Sequence, residues 1–149
     1  MSEGLPPIVC TIAIAAPIDH VWRVMTAQEE VPHWLGCMEY TGEPGSTFYM
    51  QPDAARRGAG ELEGATHCDV ERLEPPHRFS FSWYMPGTPK TFVHLLLETD
   101  GEGTNVTLRH EGWDQFPPEM VAPIRDMLSG GWESFVLPAL RARCVRAVD

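Results

Sequence analysis

Positive charge is scarce in this chain: 11 lysines and arginines stand against 21 aspartates and glutamates, a formal net charge of −10 at pH 7. A protein that tracks nucleic-acid phosphates needs a cationic face, and neither Arg56-Arg57 nor the trio Arg141, Arg143 and Arg146 supplies one. The trio reads instead as charge suited to the last turns of a helix. Long apolar runs are also missing, none reaching the roughly 18 residues of a membrane span. MSEGLPPIVC places an acidic residue where a signal peptide would be basic, so a cytoplasmic protein with no membrane partner is expected.

Metal and nucleophile signatures are absent as well. Cys10, Cys37, Cys68 and Cys144 are far apart with no C-x-x-C pair, and His33, His67, His77 and His94 have no metal-ligand spacing. Four free thiols, no metal and no cofactor are expected. There is no G-x-S-x-G, no H-E-x-x-H and no phosphate-cradling glycine loop.

The composition itself is globular, 43% hydrophobic and 21% charged over 149 residues. That length suits one domain spanning 1–149, which would bury roughly 68–70% of its unfolded surface. IVCTIAIA reads as a strand with Ile8, Cys10, Ile12 and Ile14 on one face, ended by Pro17. A helix follows with Ile18, Val21, Trp22 and Met25 on its stripe, and a second short one ends at Gly36. Turn residues then recur between short strand-like runs, at Gly42, Pro44 and Gly45, Asp53, Gly58 and Gly60, Pro75-Pro76, Pro86, Gly87 and Pro89, and Gly101 and Gly103. This rhythm predicts an antiparallel meander.

Two runs alternate with period two. Phe79, Phe81, Trp83 and Met85 oppose Arg78, Ser80, Ser82 and Tyr84; Val106, Leu108 and His110 oppose Thr107, Arg109 and Glu111. In TFVHLLLE we place Val93, Leu95 and Leu97 inward and Phe92 and Leu96 outward. The irregular stretch 62–73 suggests a bulge. From Pro118 to Val148, Ile124, Leu128, Trp132, Val136, Leu140 and Cys144 recur at a spacing of four, with Met127, Gly131 and Phe135 beside them, which predicts one long helix. Gly130-Gly131 and Pro138 predict a bend or a close approach within it. The fold class is α+β: a curved antiparallel sheet of about seven strands, two short helices, and a long C-terminal helix over the concave face.

Four stretches carry a family resemblance: TIAIAAPIDHVWRVMTAQEEVPHWLG, ERLEPPHRFSFSWYMPG, GTNVTLRHEGW and GGWESFVLPAL. Together they resemble the activator of heat-shock-protein ATPase homologue (AHSA-like) family of the SRPBCC, or START and birch-pollen-allergen-like, superfamily. The resemblance implies a helix-grip fold with a cavity between sheet and C-terminal helix. Members of the superfamily bind lipids, sterols and hormones, act as polyketide cyclases or aromatases, or serve as co-chaperones, and fold alone does not choose among these.

Alternation and helical spacing place Phe81, Trp83, Met85, Leu95, His110, Leu128, Trp132 and Phe135 on the walls of that cavity, with Trp34 and Met50 closing one end and Tyr84 or Tyr49 at the rim. His110 and Glu111 are neighbours in a strand and so point to opposite faces, which excludes a catalytic dyad. His110 is expected inside, either as a histidine satisfied within the core or as a hydrogen-bond partner for a ligand, with no nucleophile beside it and no catalytic residue assigned. Gly112 and Trp113 read structurally, and the acidic groups Glu29-Glu30, Asp69 with Glu71, and Glu98 with Asp100 and Glu102 read as solvated surface. The reading is an apolar small-molecule binding protein that needs no catalysis. A co-chaperone partnered with a heat-shock ATPase and a cyclase-like enzyme are the alternatives, and a homodimer is left open.

Overall fold

The computed structural model describes residues 6–51, 54–61, 65–85, 87–116 and 118–148. The turn assignments at Asp53 and Pro86, and the side chain of Arg146, lie outside the described residues. Strand β1 (Ile8–Ile14) is followed by helices α1 (Ile18–Thr26) and α2 (Val31–Leu35), then strands β2 (Cys37–Met38) and β3 (Thr47–Met50). A one-turn helix α3 (Ala54–Gly58) occupies a stretch expected as turns. Strands β4 (Thr66–Glu74), β5 (Arg78–Trp83), β6 (Thr91–Asp100) and β7 (Gly103–Glu111) complete a seven-stranded antiparallel sheet in the order β1-β7-β6-β5-β4-β3-β2. This curled half-barrel is the expected helix-grip sheet.

The hydrophobic pattern accounts for these elements. Ile8, Cys10 and Ile14 of β1 are buried while Val9 between them is exposed. Pro17 caps α1, whose inner stripe is Val21, Val24 and Met25, and Gly36 ends α2 in a left-handed conformation at φ 68°. The β4 irregularity is real, since its register to β5 shifts between Val70 and Arg72. Phe79, Phe81, Val93, Leu95, Leu97, Val106, Leu108 and His110 are all buried, as alternation predicts. All four cysteines are buried free thiols.

The C-terminal run departs from a regular helix. Helix α4 (Pro118–Gly131) passes through a π turn (Trp132–Val136) into α5 (Leu137–Val148), which packs on β1, α1 and α2. Pro138 has no N–H to give the Ser134 carbonyl and would crowd it in a regular α-turn. The wider π turn absorbs that conflict, with the Leu137 N–H bonding back to the Trp132 carbonyl. A Cβ on Gly130 or Gly131 would meet no atom within 4 Å among the described residues, so neither glycine is needed for a close approach on that side.

One extra residue in that turn rotates the inward face. Trp132, Leu137, Leu140 and Cys144 are buried, whereas Phe135, expected inside, is 74% exposed. Met127 and Ile124 are also exposed, so the spacing-of-four stripe is only partly the buried one.

Two acidic groups expected as solvated surface are not. Glu30 is buried and takes a 2.6 Å hydrogen bond from Arg143 Nε, with Arg23 at 3.7 Å. Asp69 accepts from Thr47 Oγ1 at 2.7 Å, from Lys90 Nζ at 2.9 Å and from the Tyr84 hydroxyl at 3.3 Å. Arg143 is thus an ion-pair partner that ties α5 to the end of the α1–α2 connection, more than a charge in the last turns of a helix. Among the described residues no helix is long and apolar enough to cross a membrane.

Candidate functional site

His110 sits near the end of β7, fully buried, opposite Val93 of β6. Its ring is enclosed by three indoles, with centroids 4.5 Å away for Trp113, 5.5 Å for Trp83 and 6.0 Å for Trp132. Trp132 Nε1 donates to His110 Nδ1 at 3.2 Å, and His110 Nε2 lies 2.8 Å from Thr91 Oγ1. An indole nitrogen can only donate, so Nδ1 is the acceptor and the ring's proton resides on Nε2. Thr91 Oγ1 accepts that proton and donates its own to the Trp83 carbonyl at 2.7 Å. Trp113 Nε1 closes the cluster by donating to the His110 carbonyl at 3.0 Å. Burial lowers the His110 pKa to about 3, so the ring is neutral.

Of the two roles expected for His110, this geometry fits the histidine satisfied within the core and not the one that presents a free donor or acceptor to a ligand. Both ring nitrogens are taken by the protein, and the partners come from elements that one strand's alternation cannot reveal. Glu111 points outward as expected, accepting from Arg109 Nε at 2.8 Å.

Against this cluster lies an apolar pocket of about 110 Å³, lined chiefly by Trp83, Met85, Trp113, Phe116, Val121 and Ile124. It opens where the β5–β6 turn meets the chain leaving β7, at one end of the sheet. Gly112 makes that turn possible. At φ 102° it is in the left-handed region, and a Cβ there would lie 3.1 Å from the Thr91 Cα. The following short 3₁₀ turn, Trp113–Gln115, sets the indole of Trp113 between His110 and the pocket.

Of the ten residues expected on the cavity walls, only Trp83 and Met85 line this pocket. Phe81 and Leu95 are wholly buried, Phe81 packing edge-on against Phe48 at 5.4 Å. Trp34 is in the core with its indole N–H on the Val24 carbonyl at 3.2 Å. Met50 and Leu128 are half-buried against the core, and Trp132 is held by His110. Phe135 faces solvent. Tyr84 lines this pocket, its hydroxyl turned to Asp69, whereas Tyr49 packs against His67. Trp113, Phe116, Val121 and Ile124 were missed as lining residues. The apolar pair Trp113 and Phe116 beside a chain-reversing glycine was the available signal.

Among the described residues, no group of three or more histidine, cysteine, aspartate or glutamate side chains is placed to hold a metal ion.

The family described as activator of Hsp90 ATPase homolog 1-like protein matches residues 15–142. No curated protein matches the chain in sequence. Among solved structures, protein BH1534 of Bacillus halodurans is 26% identical, with 97% of this chain and 99% of that one covered and a TM-score of 0.73. Protein MLL2253 of Mesorhizobium loti is 19% identical, with 96% of each chain covered and a TM-score of 0.72. PFC0360w, an HSP90 activator from Plasmodium falciparum, is 12% identical, covering 93% and 95%, with a TM-score of 0.69. The last two likenesses are of fold.

Proposed function

The chain belongs to the activator of Hsp90 ATPase homolog 1-like family, and from that premise we propose that it binds an apolar small molecule at the end of the sheet. The observation that carries this reading is the pocket beside His110, walled by aromatic, thioether and aliphatic groups. Its one buried wall hydroxyl, Thr91 Oγ1, is already bonded on both sides. A group entering there needs no polar atom and would leave none unsatisfied.

Size narrows the ligand. At about 110 Å³ the pocket is somewhat smaller than an engineered cavity of roughly 150 Å³ that accepts benzene, and well below the roughly 300 Å³ where sites for drug-sized molecules begin. One ring or a short branched chain fits inside. The remainder of a larger ligand would lie over Met85 and Ile124, which are 37% and 41% exposed at the mouth. Titration with Nile red, followed through tryptophan emission, tests the reading. Saturable binding that Ile124→Asp weakens by about tenfold or more supports it, and binding indifferent to that change places the site elsewhere.

The family's description favours a second reading, activation of a heat-shock ATPase through protein contact. Met127 and Phe135 on the C-terminal helical run are 69% and 74% exposed, large apolar side chains of the kind that anchor a partner. Measuring the ATPase rate of a heat-shock 90-class chaperone with wild type and with Phe135→Ser decides it. The cyclase-like alternative has no comparable support, because acid–base help from His110 would first require breaking its bonds to Trp132 or Thr91.

A further inference from the structure

The convex face of the sheet carries a second arrangement, one strand-layer away from the apolar pocket. Ser80 of β5 is directly across from His94 of β6, which is across from Arg109 of β7. Ser80 Oγ lies 2.7 Å from His94 Nδ1, and His94 Nε2 lies 3.2 Å from Glu111 Oε2. A carboxylate only accepts, so Nε2 carries the imidazole proton and Nδ1 is the acceptor, with the Ser80 hydroxyl at 2.7 Å as its shorter contact. Arg109 donates to the other Glu111 oxygen at 2.8 Å and fixes the carboxylate, while Arg78 Nε donates to Ser80 Oγ at 3.1 Å and its Nη2 lies 3.1 Å from His94 Nδ1. Ser80 forms part of the floor of an open groove of about 230 Å³, lined also by Glu71, Arg72, Arg78, Phe92 and His94.

We propose that Ser80, His94 and Glu111 form an acyl-transfer site for small carboxylic esters on the convex face of the sheet. Serine, imidazole and carboxylate stand in the order a nucleophile, its base and the base's orienting group require. The Arg78 guanidinium beside Oγ brings positive charge close to where negative charge develops on a carbonyl oxygen. The Ser80 oxygen attacks the ester carbonyl carbon as its proton passes to His94 Nδ1. The carbon–oxygen bond to the alcohol breaks, and the Nδ1 proton leaves with that alcohol. Water then attacks the acyl-serine, again giving a proton to Nδ1, and the acid departs as Ser80 regains its hydrogen. Ser80 and His94 are catalytic residues here, and Glu111 is a positioning residue.

The electrostatics of the groove are consistent with this. Burial lowers the His94 pKa, with the hydrogen bond and charge of Glu111 opposing that fall and the charges of Arg78 and Arg109 adding to it, so the imidazole is neutral at pH 7 and able to accept a proton. The hydrogen bond from Arg109, with that from His94, holds the Glu111 carboxyl below its usual range against the upward pull of partial burial.

The test uses para-nitrophenyl acetate on the intact protein at pH 8. The expected result is an acetyl group on the peptide containing Ser80, found by mass spectrometry, with release of nitrophenol above the buffer rate. Ser80→Ala loses both, and His94→Gln slows hydrolysis about 100-fold. Glu111→Gln removes the group that raises the His94 pKa, so the acid limb of its pH–rate profile moves to lower pH; Glu71, Arg72, Arg78 and Arg109, the other charges facing the groove, remain in place. Acetylation elsewhere, no acetylation of wild type, or hydrolysis undiminished in Ser80→Ala overturns the proposal. The wild-type labelling result stands even where a variant folds poorly. Nile red binding at the apolar pocket is unaffected by Ser80→Ala, so the two sites succeed or fail separately.

Discussion

Trp132 donates its indole hydrogen to Nδ1 of His110 across 3.2 Å, joining the C-terminal helical run to the last strand through a bond that exists only while the imidazole is neutral. Protonation at Nδ1 would set two donors against each other around a fully buried ring. His110→Leu removes the acceptor and orphans the Trp132 N–H. An unsatisfied buried donor costs about 1–3 kcal/mol, so urea denaturation of the variant is expected to show a loss of that size, with the fold retained by circular dichroism. No loss of stability would mean that Trp132 finds another acceptor.

Acid should expose the same relationship. The unfolded chain takes a proton on this histidine near the ordinary value of 6.5, the folded protein only near 3. Between those values the unfolded state holds more protons, so His110 makes stability fall as pH drops from about 6.5 towards 3, with no effect above that window. One group contributes at most about 1.4 kcal/mol per pH unit to such a slope. His110→Gln, which cannot titrate, is expected to flatten the stability–pH curve in that interval when denaturation midpoints are compared. Parallel curves for the two proteins would refute the burial of a neutral ring.

What could be read from the sequence, and what could not, follows from which interactions are local. Alternation within β5 and β7 correctly placed Phe81 and His110 on one face and Ser80 and Glu111 on the other, because successive strand residues must point to opposite faces, although it did not show that Ser80 is also buried. Register between strands is not local, so the meeting of Ser80, His94 and Glu111 across three strands was invisible, although Phe92, with the same parity as His94, had been placed outside. The partners of His110 were hidden for the same reason. Phe135 was misplaced because the spacing rule carried one inward stripe along the helix, and the bend or close approach expected at Pro138 gave no sign that a π turn would rotate that face; Glu30 was misplaced because a charge read alone shows no arginine arriving from more than a hundred residues later.

The apolar pocket has a direct optical test. Trp83 and Trp113 both line it, so occupation by Nile red is expected to quench or shift tryptophan emission with a saturable dependence on concentration. Ile124→Asp places a carboxylate at the mouth without altering the core, since Ile124 is 41% exposed. Burying an unpaired charge against the ligand should weaken binding by at least about tenfold, or 1.4 kcal/mol, while thermal stability stays close to wild type.

Glu30 and Arg143 join the end of the α1–α2 connection to α5. The Glu30 side chain is buried and the arginine partly so, and removing Arg143 takes away the short contact and leaves the buried carboxylate to Arg23 at 3.7 Å. Arg143→Met is expected to cost about 3 kcal/mol or somewhat less, given the arginine's partial exposure. The double variant Glu30→Gln with Arg143→Met should recover part of that loss, because the stranded charge is gone. A double-mutant cycle in chemical denaturation measures the coupling, and simple additivity would show that the pair does not act as one.

The π turn yields the last test, a contrast between two residues two positions apart. In an uninterrupted helix Phe135, three residues after Trp132, would share its buried face, and Leu137 would lie well round from it. The observed turn reverses these roles: Leu137 is 2% exposed and Phe135 is 74% exposed. Truncating a buried leucine to alanine costs about 2–5 kcal/mol, whereas an exposed side chain away from special features changes stability by about 0.5 kcal/mol or less. Leu137→Ala should therefore lower the denaturation midpoint strongly and Phe135→Ala hardly at all. The opposite ranking would mean that the helix runs through Pro138 with its regular spacing intact, and that Phe135 belongs to the sheet-facing side after all.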